Sequence, residues 1–228
     1  MTPAGLIGLA VAAWVGYAWL PHLLTPLLTR RGAPDRPWVA LTFDDGPDAT
    51  WTPRVLDLLA RHGARATFFL IGIRAARAPA VVRAIAEAGH EVANHSWSHR
   101  SLWLCGPRRT AEEVRRCHDL LADLTGRAPR HFRPPWGMLN AAVGPALGRV
   151  GERCVLWSVQ PEGRRPRLPE AQAAAVLRRA HPGAIVDLHD AEGVAGAPAR
   201  LVEALPAVLQ GLGRAGYRLV TLNELLGD

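Results

Sequence analysis

Two acidic residues stand side by side in the segment Thr42-Phe43-Asp44-Asp45-Gly46-Pro47. Adjacent carboxylates at the end of a strand repel one another unless a cation sits between or beside them. Gly46 and Pro47 turn the chain sharply, so both side chains can reach one pocket. Taken alone, Asp-Gly-Pro is equally the chemistry of a surface turn. A second segment, His95-Ser96-Trp97-Ser98-His99, decides between the two. Two histidines four apart can share one face of a helical turn or tight loop and address one metal ion. Either histidine alone reads as a hydrogen-bonded structural residue. Two imidazoles and a carboxylate together leave open positions for water and substrate, as in catalytic zinc sites.

Two further segments carry polar groups in telling places. In Arg133-Pro134-Pro135-Trp136-Gly137 the prolines fix the backbone, and the arginine can pair with a carboxylate. In Ile185-Val186-Asp187-Leu188-His189-Asp190, residues two apart share a face of a strand, so Asp187 and His189 point the same way. An aspartate beside a histidine raises its pKa and orients its ring. His22, His62, His118, His131 and His181 have no such company and receive no role.

The elements that must position these groups follow from the hydrophobic pattern. Strands are expected at Trp38–Asp44, Ala66–Gly72, Glu91–Asn94, His131–Arg133, Cys154–Val159, Ala184–His189 and Tyr217–Thr221. Helices are expected to begin near Thr52, Arg77, Thr110, Asn140, Pro169 and Pro198. Thr52-Pro53 reads as an N-cap followed by proline in the first turn, and Gly63, Gly89 and Gly216 read as left-handed C-caps. Seven β/α repeats predict a closed or nearly closed parallel barrel, whose chemistry collects at the C-terminal ends of the strands. Asp44-Asp45, His95, Arg133 and His189-Asp190 all fall at such ends.

The chain has 228 residues, about one domain, with 49% hydrophobic residues and a net charge of +7. All its basic residues are Arg, scattered with no basic stripe or interleaved aromatics, so no nucleic-acid partner is expected. Cys105, Cys117 and Cys154 show no metal or disulfide spacing and read as buried thiols. Residues 3–20 carry no charged side chain, and a second apolar stretch runs from Leu23 to Leu28. That length suits a membrane span through residues 3–28, and the basic start of a secretory signal is missing. The expected division is a hydrophobic anchor or signal-like segment over 1–29, a linker over 30–37 and a catalytic domain over 38–228. The alternative for the first segment is a helix packed on the domain. Arg30, Arg31 and Arg36 follow the span, which by the positive-inside rule favours a cytoplasmic domain and conflicts with an envelope enzyme.

From Trp38 to Leu226 the sequence resembles the polysaccharide deacetylases with the NodB homology domain, carbohydrate esterase family 4. The resemblance rests on TFDDGP, His95-Ser96-x-x-His99, Gly89-His90-Glu91 and Arg133-Pro134-Pro135-Trp136-Gly137, in this order and spacing. It implies an α/β fold, a distorted (β/α)7 barrel of TIM-like type preceded here by a hydrophobic helix. It implies a divalent metal, Zn2+ or Co2+ or another transition metal, and removal of acetyl groups from N-acetylated sugars. Carried over position by position, Asp44 matches the general base and Asp45, His95 and His99 match the metal ligands. Arg133 matches the residue that orients the base, and His189 the general acid. Trp136 matches an aromatic position whose backbone N–H helps bind the oxyanion. Pro135, Leu188, Asp187 and Arg164 are expected on the substrate side.

The chain departs from the family pattern in Trp157-Ser158-Val159-Gln160-Pro161-Glu162-Gly163-Arg164. Gln160 stands where an aspartate normally tunes the charge network, and Arg164 about where a pocket-wall tryptophan is usual. Asp187 stands where an apolar residue is commoner. We expect Asp187 to take over the lost charge role by supporting His189, and Arg164 or Arg165 to make a cationic contact suited to an anionic substrate. The expected function is thus a metal-dependent N-deacetylase of a polysaccharide, peptidoglycan or glycolipid, monomeric and anchored in the cell envelope. A deformylase or deacylase of a lipid-linked sugar, and a non-catalytic glycan-binding module on the same fold, are the alternatives.

Overall fold

A parallel strand covered by helices must be apolar on both faces, and Trp38–Asp44 is buried along nearly its whole length. The computed structural model describes residues 2–24, 28–162, 168–193 and 195–228. The strands are β1 (Leu28–Thr29), β2 (Trp38–Asp44), β3 (Thr67–Leu70), β4 (Glu91–Asn94), β5 (His131–Phe132), β6 (Arg153–Val155), β7 (Ala184–His189) and β8 (Arg218–Leu219). Helices α1 (Pro3–Ala18) and α2 (Pro21–Leu24) precede them. Between and after the strands lie α3 (Trp51–Arg61), α4 (Gly72–Arg77), α5 (Pro79–Glu87), α6 (Pro107–Thr125), α7 (Val143–Val150), α8 (Pro169–Arg179), α9 (Ala197–Arg214) and α10 (Leu222–Leu226). The strands pair in parallel in the order β1-β6-β5-β4-β3-β2-β7, with β8 also on β2.

The sheet curls until its β6 and β7 sides meet. Past β6, Val159 bridges Val186 of β7, with Asp187 N donating to Val159 O at 2.9 Å. This is the distorted parallel barrel expected from the β/α repeats. Its interior is layered by strand alternation. Thr67, Glu91 and His131 form a polar floor, tied by Thr67 Oγ1 to Glu91 at 3.0 Å and by His131 Nδ1 to Glu91 at 2.6 Å. Ala40, Phe69, Ala93, Val155 and Ile185 form an apolar layer above. Arg133, Asp44 and Asp187 lie buried above that, at the C-terminal ends of the strands. The outward faces of β2, β3 and β7 (Leu41, Phe43, Phe68, Leu70, Val186 and Leu188) pack under the helices in the main core.

Several local expectations need correction. Thr52 does not cap a helix, since α3 already begins at Trp51. Asp48 does the capping, its Oδ1 accepting from Thr50 N at 2.8 Å and Trp51 N at 2.9 Å. Thr52 Oγ1 instead donates to buried Asp190 at 2.5 Å. The helix expected near Arg77 is two helices, α4 and α5, with Pro79 opening the second. Leu28 and Thr29, expected at the end of the hydrophobic segment, pair with Cys154 and Val155. Arg31, expected in the linker, bridges Ala184. All three cysteines are free and buried, as the sequence suggested.

The span Pro3–Leu23 has a mean hydropathy of 1.5, and 6% of its most apolar window is buried. It is long and apolar enough to cross a membrane.

Phe68 is fully buried and stacks on Phe43 with ring centroids 4.9 Å apart. Phe68→Ala is expected to cost about 3–5 kcal/mol of unfolding free energy, measured by urea denaturation of the zinc-free protein. A loss below about 1 kcal/mol would contradict this packing.

Candidate active site

The last residue of β2, Asp44, keeps the strand's alternation and points into the barrel. There it meets Arg133, which follows β5 and is fully buried. The Arg133 guanidinium donates to Asp44 Oδ1 at 2.6 Å and Thr42 Oγ1 at 2.7 Å. It also donates to the carbonyls of Val155 at 3.2 Å and Leu156 at 3.1 Å, and lies 3.4 Å from Asp187 Oδ1. Its carbon sits 4.1 Å from the centre of the Phe69 ring. A buried charge persists only with such partners.

Asp45 breaks the alternation. Its φ of 71° places it in the left-handed region, which turns its side chain off the path of the strand. Ser96, His99 and Trp136 are the other non-glycine residues with positive φ among the described residues. All four lie at the same end of the barrel, where backbone strain is characteristic of functional sites. Gly193 makes room for Asp45, because a Cβ there would lie 2.0 Å from Asp45 Oδ2. Arg74 holds the two loops together, donating to Asp45 O at 2.7 Å and Glu192 O at 2.8 Å.

His95 and His99 lie on a loop and not on a helical turn. Asn94 Oδ1 accepts from Ser96 N at 2.9 Å, Ser96 Oγ from His99 N at 3.2 Å, and Glu113 from Ser98 N at 2.7 Å. His95 Nδ1 is 2.7 Å from Arg133 O. The carbonyl can only accept, so Nδ1 carries the proton and Nε2 keeps its lone pair. Burial pushes the His95 pKa down to about 4, which keeps the ring neutral.

Asp45, His95 and His99 each offer an atom within 4.8 Å of the others. Asp45 Oδ1 is buried without an aligned hydrogen bond, yet lies 3.0 Å from His99 Nε2 and 3.6 Å from His95 Nε2. Burial works against its charge, but His99, His95 and His189 hold its carboxyl well below the usual range. An orphaned carboxylate oxygen facing two imidazole nitrogens, one already oriented by a carbonyl, fits a single divalent cation.

A second trio, Asp44, Asp187 and His189, converges to the same limit beside the first, with Asp44 Oδ2 3.8 Å from His95 Nε2. His189 Nδ1 lies 2.8 Å from Glu162 Oε2. Burial opposes the imidazolium, but Asp187, Glu162 and Asp44 push its pKa up to about 10. Asp187 itself is driven upward by burial and by the charge of Asp44. Asp187 thus lies within 4.8 Å of His189, and Glu162 stands against the same ring. Sequence reasoning assigned Glu162 no role. The signal was a carboxylate two residues past Gln160, inside the segment that departs from the family pattern. Gln172 Nε2 holds its other oxygen at 2.6 Å.

Both trios open into one cleft of about 610 Å3, shared with Trp136, Trp157 and Gln160. The Trp136 ring is half-exposed and 4.5 Å from that of His99. Larger hollows at the other rim, one beside His62 and Tyr217 and one beside His90 and Asp228, contain none of these trios. Two expected substrate contacts are not brought to the cleft. Leu188 alternates with Asp187 and His189 and is buried in the core outside the barrel, and Pro135 is buried beneath Trp136. Arg164 and Arg165 lie outside the described residues.

Fold and site together define a parallel α/β barrel that brings an Asp-His-His trio and an Asp-Asp-His trio to one cleft. The comparisons agree. Residues 31–155 match the polysaccharide deacetylase family model, and the chain belongs to that family. It is 38% identical over 195 residues to a peptidoglycan-N-acetylglucosamine deacetylase of Bacillus cereus, covering 82% of this chain and 87% of that one. It is 40% identical over 173 residues to a chitooligosaccharide deacetylase of Sinorhizobium fredii, covering 75% and 79%. A solved peptidoglycan N-acetylglucosamine deacetylase superposes with a TM-score of 0.83 at 31% identity, covering 89% of this chain and 94% of that one. A family 4 pseudoenzyme from Bacillus anthracis also shares the fold, with a TM-score of 0.80 at 27% identity, covering 89% and 69%.

The ligand assignment predicts about one tightly held zinc ion per chain after dialysis, measured by inductively coupled plasma mass spectrometry. His95→Ala and His99→Ala should each lose it. Full zinc retention in both variants would contradict the assignment.

Proposed function

We propose that this chain is a metal-dependent amide hydrolase that removes N-acetyl groups from an N-acetylated glycan. The observation that carries the reading is the place of Asp44, fixed by Arg133 between the ligand trio and His189. A divalent ion held by Asp45, His95 and His99 would supply the Lewis acidity that polarises the acetyl carbonyl and acidifies a water.

The chain's own residues do the rest. Asp44, oriented by the Arg133 guanidinium at 2.6 Å, accepts the proton of the attacking water. A carbon–oxygen bond forms and the carbonyl oxygen takes the negative charge. The backbone N–H of Trp136, at the rim of the cleft, would help to stabilise that charge. The carbon–nitrogen bond then breaks. Amide nitrogen is a poor leaving group, so His189 donates a proton from its imidazolium as the amine departs. The products are acetate and a free amino sugar. The intact ligand trio and acid–base pair support catalysis over a non-catalytic glycan-binding role.

Two measurements test this. The zinc-loaded protein should release acetate from chitooligosaccharides or peptidoglycan fragments, and Asp44→Asn should lower the rate about 10²–10⁴-fold with zinc retained. No release from any N-acetylated glycan would sink the reading. The proton donor must be protonated, so activity falls as pH rises through the His189 pKa. Removing one of the carboxylates that raise this pKa, with Glu162→Gln, should move the alkaline limb of the rate profile down by about one unit or more. An unmoved limb would remove Glu162 from the acid's support.

A further inference from the structure

The apolar helix α1 does not stand apart from the barrel. Trp14 Nε1 donates to Trp103 O at 3.1 Å, and the two indoles meet edge to face at 6.2 Å. The Tyr17 hydroxyl donates to Cys105 O at 3.0 Å, and Ala141 N donates to Tyr17 O at 2.9 Å. His22 Nε2 accepts from Trp103 Nε1 and from Leu139 N, each at 3.3 Å. The helix is thus clamped to two loops, 95–105 and 133–142. These are the loops that carry His95 and His99, and Trp136. The clamp sits on the rim of the barrel into which the cleft opens.

Length then constrains where that rim can be. A bilayer's hydrocarbon core is about 30 Å thick and takes about 20 helical residues. From Pro3 to Ala13, ahead of the clamp, the helix rises only about 16 Å. An α1 that spans the bilayer must therefore place Trp14–Leu23 within it or at its boundary. Loop 102–105 is bonded to that stretch and goes with it. The loop's chemistry suits the boundary. Leu104 is 82% exposed, the most exposed large apolar side chain of the described residues. Exposed Arg100 and Arg108 flank it, placed for anionic headgroups. Trp14 and Tyr17 bond the same loop beside Trp103, the residue types of an interfacial aromatic belt.

We propose that the barrel rests on a lipid bilayer mouth first, with the Trp103–Leu104 loop in the interfacial layer, and that the N-acetylated sugar it deacetylates is carried on a membrane lipid. The substrate class rests on the deacetylase reading above, and the orientation rests on the clamp and on α1 crossing the bilayer. A cleft that opens onto the membrane surface meets glycans attached to lipids first and long soluble polymers last. The reaction is unchanged: water replaces the amide nitrogen on the acetyl carbon, and the amine keeps its lipid.

The test uses the full chain, zinc-loaded, in vesicles of phosphatidylethanolamine and phosphatidylglycerol. A thiol-reactive fluorophore on Leu104→Cys should be quenched by spin-labelled lipid and shielded from aqueous iodide. The same dye on Gln210→Cys, on the opposite half of the barrel, should show the reverse. Leu104→Glu should lower acetate release from an N-acetylglucosaminyl lipid in those vesicles about tenfold or more, and leave release from soluble chitooligosaccharides unchanged. A Leu104→Cys dye open to iodide overturns the orientation while leaving the deacetylase reading intact. Leu104→Glu activity unchanged on the lipid substrate overturns the interfacial role of the loop, and release from soluble chitooligosaccharides with none from the lipid substrate overturns the substrate class. If no substrate yields acetate, the deacetylase reading fails and the lipid-carried substrate fails with it, while the dye positions still decide the orientation.

Discussion

A guanidinium sealed inside a barrel cannot stay charged alone, and the upper half of this protein is built around that requirement. Arg133 has no exposed surface. Its side chain is satisfied by Asp44, Thr42 and the carbonyls of Val155 and Leu156 at the end of β6, with Asp187 close by. Its own carbonyl fixes the ring of His95. One residue therefore touches both halves of the site, through its side chain on the proton-handling side and through its main chain on the ligand side. Removing one partner of such a buried pair typically costs about 3–5 kcal/mol, because the other charge is left uncompensated.

This arrangement divides the labour of two adjacent aspartates that the sequence alone cannot tell apart. Asp44 continues the strand and faces Arg133. Asp45, in a left-handed backbone conformation, faces the histidines. The trios on either side have similar dimensions but different company. Asp44, Asp187 and His189 have the cation of Arg133 beside them and the carboxylate of Glu162 behind the histidine. At Asp45, His95 and His99 the Arg74 guanidinium bonds the Asp45 carbonyl and not its carboxylate, and an orphaned carboxylate oxygen faces the two imidazoles. This difference in company is why we propose one trio for a metal and the other for protons.

Much of this was legible in the chain because strand alternation and strand ends are local properties. Asp44-Asp45, His95, Arg133 and His189 fall where the β/α pattern ends each strand, and Asp187 falls two residues before His189 on the same face. The same alternation excludes Leu188 from the cleft, a consequence available from the sequence. What was not legible depends on distant contacts. Glu162 meets His189 from a separate loop, and Asp190 is held by Thr52 across the barrel mouth. Leu28 and Thr29 look like the end of an apolar helix until the exposed edge of β6 recruits them. Thr52 looks like a cap until Asp48 takes that place. Apart from the local Asp48 cap, in each case a tertiary partner competes with a sound local reading and wins.

The central claim is that the two trios have different occupants. It is tested most directly by diffraction from zinc-soaked crystals at the zinc absorption edge. The account predicts one anomalous peak about 2.0–2.2 Å from a carboxylate oxygen of Asp45 and from Nε2 of both His95 and His99, with Arg133 still paired to Asp44. A peak among Asp44, Asp187 and His189, or one that displaces Arg133 from Asp44, would contradict it.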